Sequence, residues 1–213
     1  MIASLLGLAA AVAAAAPVPP LPKDIHASSL SRLELVERSK LSPEGQRVYD
    51  VMRGDAPAIP VTGPGPNSMY SLGVAEPMHH LNQYLRKSVV GPRYFELSAL
   101  TAAREFDQAY EWTGHEGAGR RAGLTDAEID AVKFNRPVTG LPEKDATVIT
   151  LGRALIRDHK VSSELWARTV ALFGQQGAVE IVTTLGDYVM AGMLLTAVDQ
   201  HLPPDRPSLL PPK

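Results

Sequence analysis

Residues 94–123, YFELSALTAAREFDQAYEWTGHEGAGRRAG, decide how this chain is read. Glu111 and His115 stand four apart, so on a helix they share a face and their side chains can meet. A carboxylate beside an imidazole holds one ring tautomer and raises the ring's basicity, which is how a histidine is poised for proton transfer near neutral pH. The same spacing also describes an ordinary exposed helix pair, so the pair alone does not make a site. Glu96 adds a geometric condition. On one straight helix it would lie ~28 Å from His115, far beyond contact. The two can cooperate only if the helix ends between them and the chain folds back. Asp107 is a good N-cap, because its carboxylate can accept from the backbone donors ahead of it. The stretch therefore predicts a helix ending near Phe106 and a second running from about Gln108 to Arg121.

Outward from this block the signals are helical. Ser42-Pro43 pairs an N-cap with Pro at the first helical position, and Gly54 closes that segment. Pro77 is expected to open a helix through Leu81 and Leu85 towards Lys87. Thr125 and Glu128 spell a capping box. Ser162 or Ser163 caps a helix carrying Leu165, Trp166, Val170 and Phe173, which Gly174 ends. From Ala178 to about His201 the chain is apolar on most sides, so it must be buried in a core or against another subunit. Alternating strand-like stretches are nearly absent, and the expectation is an all-α, single-domain protein.

Composition narrows the function. Hydrophobic residues are 45% and charged residues 21% of the 213, enough to bury a real core. Net charge is -2 and the basic residues are scattered, which argues against nucleic acid and against a polybasic membrane contact. The expected partners are a small molecule and further copies of the chain. There is no cysteine, which excludes disulfides, thiol redox chemistry and thiolate metal sites.

Residues 1–15 form a short apolar run followed by small residues, and cleavage after Ala13 or Ala15 would suit a signal peptidase. No Lys or Arg precedes Lys23, so the run reads either as an export signal lacking a basic start or as an Ala-rich extension. The expected location is exported or periplasmic, with a cytoplasmic protein as the alternative. Residues 16–27 read as a Pro-rich linker, 28–202 as the helical domain and 203–213 as a Pro-rich tail.

Glu96, Arg104, Tyr110-Glu111-Trp112, His115 and Ala122-Gly123-Leu124-Thr125 together resemble the central motif of the carboxymuconolactone decarboxylase family, in the alkylhydroperoxidase-like superfamily. Gly65-Pro66, Pro77 and Tyr84-Leu85-Arg86 resemble its preceding region, and Trp166 with Gly186-Asp187-Tyr188 its C-terminal helices. The likeness covers about residues 30–200. Redox members of that superfamily carry a Cys-x-x-Cys pair where this chain has Gln108 and Glu111, and an upstream Glu where it has Glu96. The proton-relay groups are kept and the sulfur is gone, which rules out a thiol peroxidase cycle.

The resemblance implies an alkylhydroperoxidase-like helical bundle, assembled as a homotrimer or homohexamer. It also implies a lyase or isomerase acting on a small carboxylated lactone or related enolisable acid, and the expectation is that it needs no cofactor. His115 would transfer the proton, oriented by Glu111, with Glu96 as relay or second base. Arg104 would clamp a substrate carboxylate, or else balance Glu96 or Glu111 in a structural ion pair. Tyr110 and Trp112 would line the pocket, or else belong to the core. One of His79 and His80 could face the pocket; as helix residues both are ordinarily part-exposed. No zinc motif follows His115. Two other classes stay open: a non-catalytic small-molecule binding or stress-related module on the same fold, and an ester or lactone hydrolase in which His115 activates water.

Overall fold

The computed structural model describes residues 20–212. The expected leader, residues 1–15, lies outside the described residues, as does the first part of the linker. Among the described residues there are eight α-helices: α1 (Pro43–Arg53), α2 (Pro64–Ser68), α3 (Leu72–Leu85), α4 (Gly91–Glu105), α5 (Ala109–Arg121), α6 (Asp126–Lys133), α7 (Glu143–Ile156) and α8 (Ser163–Ala197). A 3-10 turn at Arg38–Lys40 precedes them, and one isolated bridge, His26 with Ser31, is the only β pairing among the described residues. The all-α class is as expected.

α4 is the axis of the fold. Every residue from Phe95 to Arg104 is buried, because α5, α7 and α8 all pack on it. Its small residues Ser98, Ala99, Ala102 and Ala103 allow neighbours to come close. Gly152 of α7 matches them, since a Cβ there would sit 2.5 Å from Thr101 Cγ2. The main core gathers Phe95, Leu97, Leu100, Trp112, Ile149, Leu151, Ile181 and Leu185 from these helices. A smaller cluster of Val48, Tyr49, Ile59, Met69 and Ala75 holds α1 and α2 against α3.

The break between α4 and α5 falls where the sequence predicts it, but the residues share the work differently. Asp107 is not an N-cap. It takes a left-handed conformation (φ 59°) and ends α4 in a Schellman arrangement, with Asp107 N–H donating to Arg104 O (3.1 Å) and Gln108 N–H to Ala103 O (2.7 Å). Gln108 caps α5 instead, its Oε1 accepting from Tyr110 N–H at 3.1 Å. Asp is among the few residues that tolerate the left-handed region, which suits it to stopping a helix as well as to starting one.

Other boundaries follow the local chemistry. Ser42 caps α1 and Gly54 (φ 55°) closes it. Thr125 and Glu128 form the capping box of α6. Ser162 caps α8, and Gly174 (φ 70°) interrupts it, after which helix resumes at once. Pro77 is a correction: it lies inside α3, which begins at Leu72, so the helix tolerates one missing N–H rather than starting there. Both ends of the expected domain also extend. Ile25 is buried, and Arg32 N–H donates to Val198 O while His201 N–H donates to Leu30 O, both at 2.8 Å. The Pro-rich tail is no free end, since Leu210 belongs to the main core. By length and composition α8 could cross a membrane, but 56% of its most apolar window is buried within the protein.

Candidate active site

The reversal at Asp107 brings α5 back along α4 and places His115 beside Glu96. His115 Nδ1 lies 2.7 Å from Glu96 Oε2. On the other side of the ring, Nε2 is 3.6 Å from Glu111 Oε2. All three side chains are nearly buried, at 12%, 8% and 6% exposure. His115 and Glu111 lie at the wall of a cavity of about 370 Å³, within the range that suits a small organic ligand. Glu111, His115 and Tyr110 line that cavity. The Tyr110 hydroxyl shares a 2.7 Å hydrogen bond with Thr62.

The two carboxylates divide their roles contrary to expectation. Glu96, not Glu111, makes the close contact that orients the ring. An ionised carboxylate can only accept, so Nδ1 carries the proton and Nε2 is left towards Glu111 and the cavity. Glu111 is the less satisfied group: its Oε1 is buried with no hydrogen-bond partner. Burial pushes its carboxyl above the ordinary value, opposed by His115 and reinforced by Asp187. A carboxyl so placed can hold a proton where an exposed one would have lost it.

Two expected site residues stand elsewhere. Arg104 is buried near the end of α4, where its Nη1 donates to Pro211 O at 2.9 Å and lies 3.4 Å from Asp107. It neither reaches the cavity nor pairs with Glu96 or Glu111, because its helical position turns it towards the C-terminal tail. Trp112 is fully buried in the core, its Nε1–H donating to Glu116 Oε2 at 2.7 Å. Trp112 turns to the other side of α5, where Lys133 lies over its ring at 5.8 Å, while Tyr110 and Glu111 face the cavity.

Four cavity residues had no assigned role in the sequence. Tyr188 stacks edge-on against His115, ring centroids 4.7 Å apart, and burial pushes its hydroxyl well above the usual tyrosine range. Asp187 is buried, with Oδ2 accepting from Asn82 Nδ2 at 2.8 Å and Oδ1 unpartnered; burial raises its carboxyl too, against the pull of Asn82 and Arg86. Arg86 lies over the Phe95 ring at 4.8 Å, donates through Nε to Asn82 Oδ1 at 2.8 Å and stands 4.0 Å from Glu96. Arg206 comes from the tail. Arg86, Asp187 and Tyr188 fall in the two flanking motifs quoted above, the one signal that pointed to them. Nothing in the tail's composition marked Arg206. Of the two neighbouring histidines, His79 lines the cavity and His80 is exposed near Glu76.

No family model matches the chain, and no curated protein matches it either. Among the described residues no group of three or more His, Asp or Glu side chains is arranged to hold a metal ion.

Proposed function

We propose that the protein is a cofactor-free acid–base enzyme of the carboxymuconolactone decarboxylase type. It acts on a small carboxylated lactone or related enolisable acid. The observation that carries this reading is the polarised ring of His115: Nδ1 bonded to Glu96 at 2.7 Å, Nε2 turned to a buried carboxyl with a free oxygen at the cavity wall. That is a base and an acid on one small space, held dry enough for their protonation states to differ.

In a decarboxylation the C–COO⁻ bond breaks and its electron pair moves into the neighbouring carbonyl system as an enolate, releasing carbon dioxide. Glu111, as the acid, returns a proton to carbon and is reprotonated from solvent by way of His115 Nε2, 3.6 Å from its Oε2. In an isomerisation His115 Nε2 first takes the proton from one carbon and Glu111 delivers one to another. Both schemes use the same two groups, and neither calls for a thiol.

Assay of the purified protein against a panel of carboxylated lactones and β-keto acids tests this. His115→Ala and Glu111→Gln are each expected to keep the fold and lose at least ~100-fold in activity. Near-normal turnover in either variant removes that residue from its role. Acid formation without carbon dioxide or isomer would make the protein a hydrolase, and binding without turnover a binding module.

The same reading carries assembly into a homotrimer or homohexamer. Tyr84, Val89, Val179 and Met193 are exposed apolar side chains on and beside α3 and α8 that such an assembly would cover. A clean monomer in sedimentation at micromolar concentration would overturn it.

A further inference from the structure

The tail that follows α8 returns across the molecule as a strap. Arg206 N–H closes a turn on Pro203 O at 2.9 Å. Beyond it Leu209 N–H donates to Thr113 Oγ1 at 3.1 Å, Leu210 is buried in the main core, and Pro211 O accepts from the buried guanidinium of Arg104. Arg206 itself donates through Nη2 to Thr113 O at 2.9 Å. Its guanidinium is thus tied to α5 two residues from Glu111, and Arg206 lines the same cavity.

The cavity needs a cation that is free to bind. Its wall holds the carboxyls of Glu111 and Asp187, each with an unpartnered oxygen, so an anionic substrate entering it meets two acids. Arg86 is already committed to Asn82, Phe95 and Tyr188. Arg206 is the other arginine of the lining, and it forms no ion pair with any described residue. One contact to a carbonyl fixes the side chain and leaves an edge of the fork open, the shape that receives a carboxylate through two parallel hydrogen bonds.

We infer that the strap completes the site and that Arg206 receives the carboxylate of the substrate at the cavity mouth, directing the reacting carbons towards His115 and Glu111. This rests on the acid–base reading of the site and adds the substrate's orientation and the residue that sets it. Arg104 then acts at a distance, as a positioning residue that holds the strap.

The test is calorimetric binding of a carboxylated γ-lactone, 5-oxotetrahydrofuran-2-acetate, beside its methyl ester. Arg206 is exposed, so Arg206→Gln is expected to fold as the parent does. The parent should prefer the acid. R206Q should lose about 10- to 100-fold in affinity for the acid and nothing for the ester, the range for a hydrogen-bonded charge. R206K should recover part of the loss. Arg104→Gln should lower the acid-over-ester preference, a readout that loss of stability alone would not move. Equal affinity of R206Q and parent for the acid overturns the inference, as does a parent that does not prefer acid to ester. If either result came with His115-dependent turnover of any carboxylated lactone or β-keto acid of the panel, the acid–base chemistry would stand and only the strap's role would fall. Arg206-dependent binding of the acid without His115-dependent turnover of any lactone would do the reverse.

Discussion

Glu96 and His115, nineteen residues apart in sequence, stand 2.7 Å apart through Oε2 and Nδ1. The contact exists because α4 stops at Asp107 and α5 returns along it. It also sets the tautomer of the ring, since the carboxylate accepts the Nδ1 proton and leaves Nε2 to the cavity. Glu96→Gln keeps the size of the side chain but can present its amide to Nδ1, which favours the wrong tautomer. Activity is expected to fall by about 100-fold, the lower end for a misplaced general base, with an unchanged circular dichroism spectrum. Full activity in this variant would show that ring orientation does not depend on Glu96.

How much of this could be read beforehand depends on the range of each contact. Helix caps are local, so Ser42, Thr125, Ser162 and the stop at Gly174 were legible from a few residues each. The Glu111–His115 spacing was legible for the same reason. Which carboxylate would orient the ring was not, because the crossing of α4 and α5 decides it and no periodicity within one helix encodes that angle. Asp107 is instructive: one residue type suits both the end of a helix and the start of the next, and only φ distinguishes the two. Arg104 looked like a substrate clamp because it shares a helix with Glu96. A difference of eight residues on a helix of 3.6 per turn still leaves the two about 80° apart, enough to send one to His115 and the other to the strap.

Trp112 separates stability from chemistry. It is fully buried, and its Nε1–H is one of the donors that satisfy Glu116, with Lys133 at 2.9 Å and Arg120 at 3.1 Å supplying others. Trp112→Phe removes a hydrogen bond to a charged group and leaves a gap beside it, for a cost of about 2 kcal/mol or more in a denaturant titration. Turnover at a temperature where both proteins are folded is expected to be retained. A stable variant with lost activity would return Trp112 to the site.

Gly152 tests the crossing that holds α4 against α7. Gly→Ala within a helix ordinarily gains about 1 kcal/mol from propensity. Here the added Cβ would come within 2.5 Å of Thr101 Cγ2 and 3.0 Å of Leu185 Cδ2. Thr101 cannot turn away freely, because its Oγ1 donates to Leu97 O at 2.7 Å in a fully buried position. Overpacking of this kind costs about 1–3 kcal/mol, so the clash is expected to outweigh the propensity gain. Gly152→Ala should lower the midpoint of urea unfolding. A raised midpoint would mean that α7 can shift outward without loss.

Glu111 links the pH dependence of stability to that of activity. Burial raises its carboxyl in the folded protein above 4.5, the ordinary value that the unfolded chain keeps. The folded state therefore holds this proton more tightly than the unfolded state. The resulting stabilisation is fully present below pH 4.5 and is lost as pH rises through the folded-state value, beyond which an ion is buried at a cost. Glu111→Gln cannot ionise and lacks that loss. Its unfolding midpoint is expected to match the parent's at acid pH and to exceed it by a margin that grows towards neutral and alkaline pH, while its activity is gone at every pH. The parent's activity should fall on the alkaline side as the Glu111 proton leaves. Asp187, also raised by burial, pushes stability the same way in both proteins, and its repulsion of an ionised Glu111, present in the parent alone, widens the margin between them. Denaturant titrations of the pair across a pH series decide it: parallel curves would mean that Glu111 carries no displaced proton, and the acid of the proposed pair would have to be sought in Asp187.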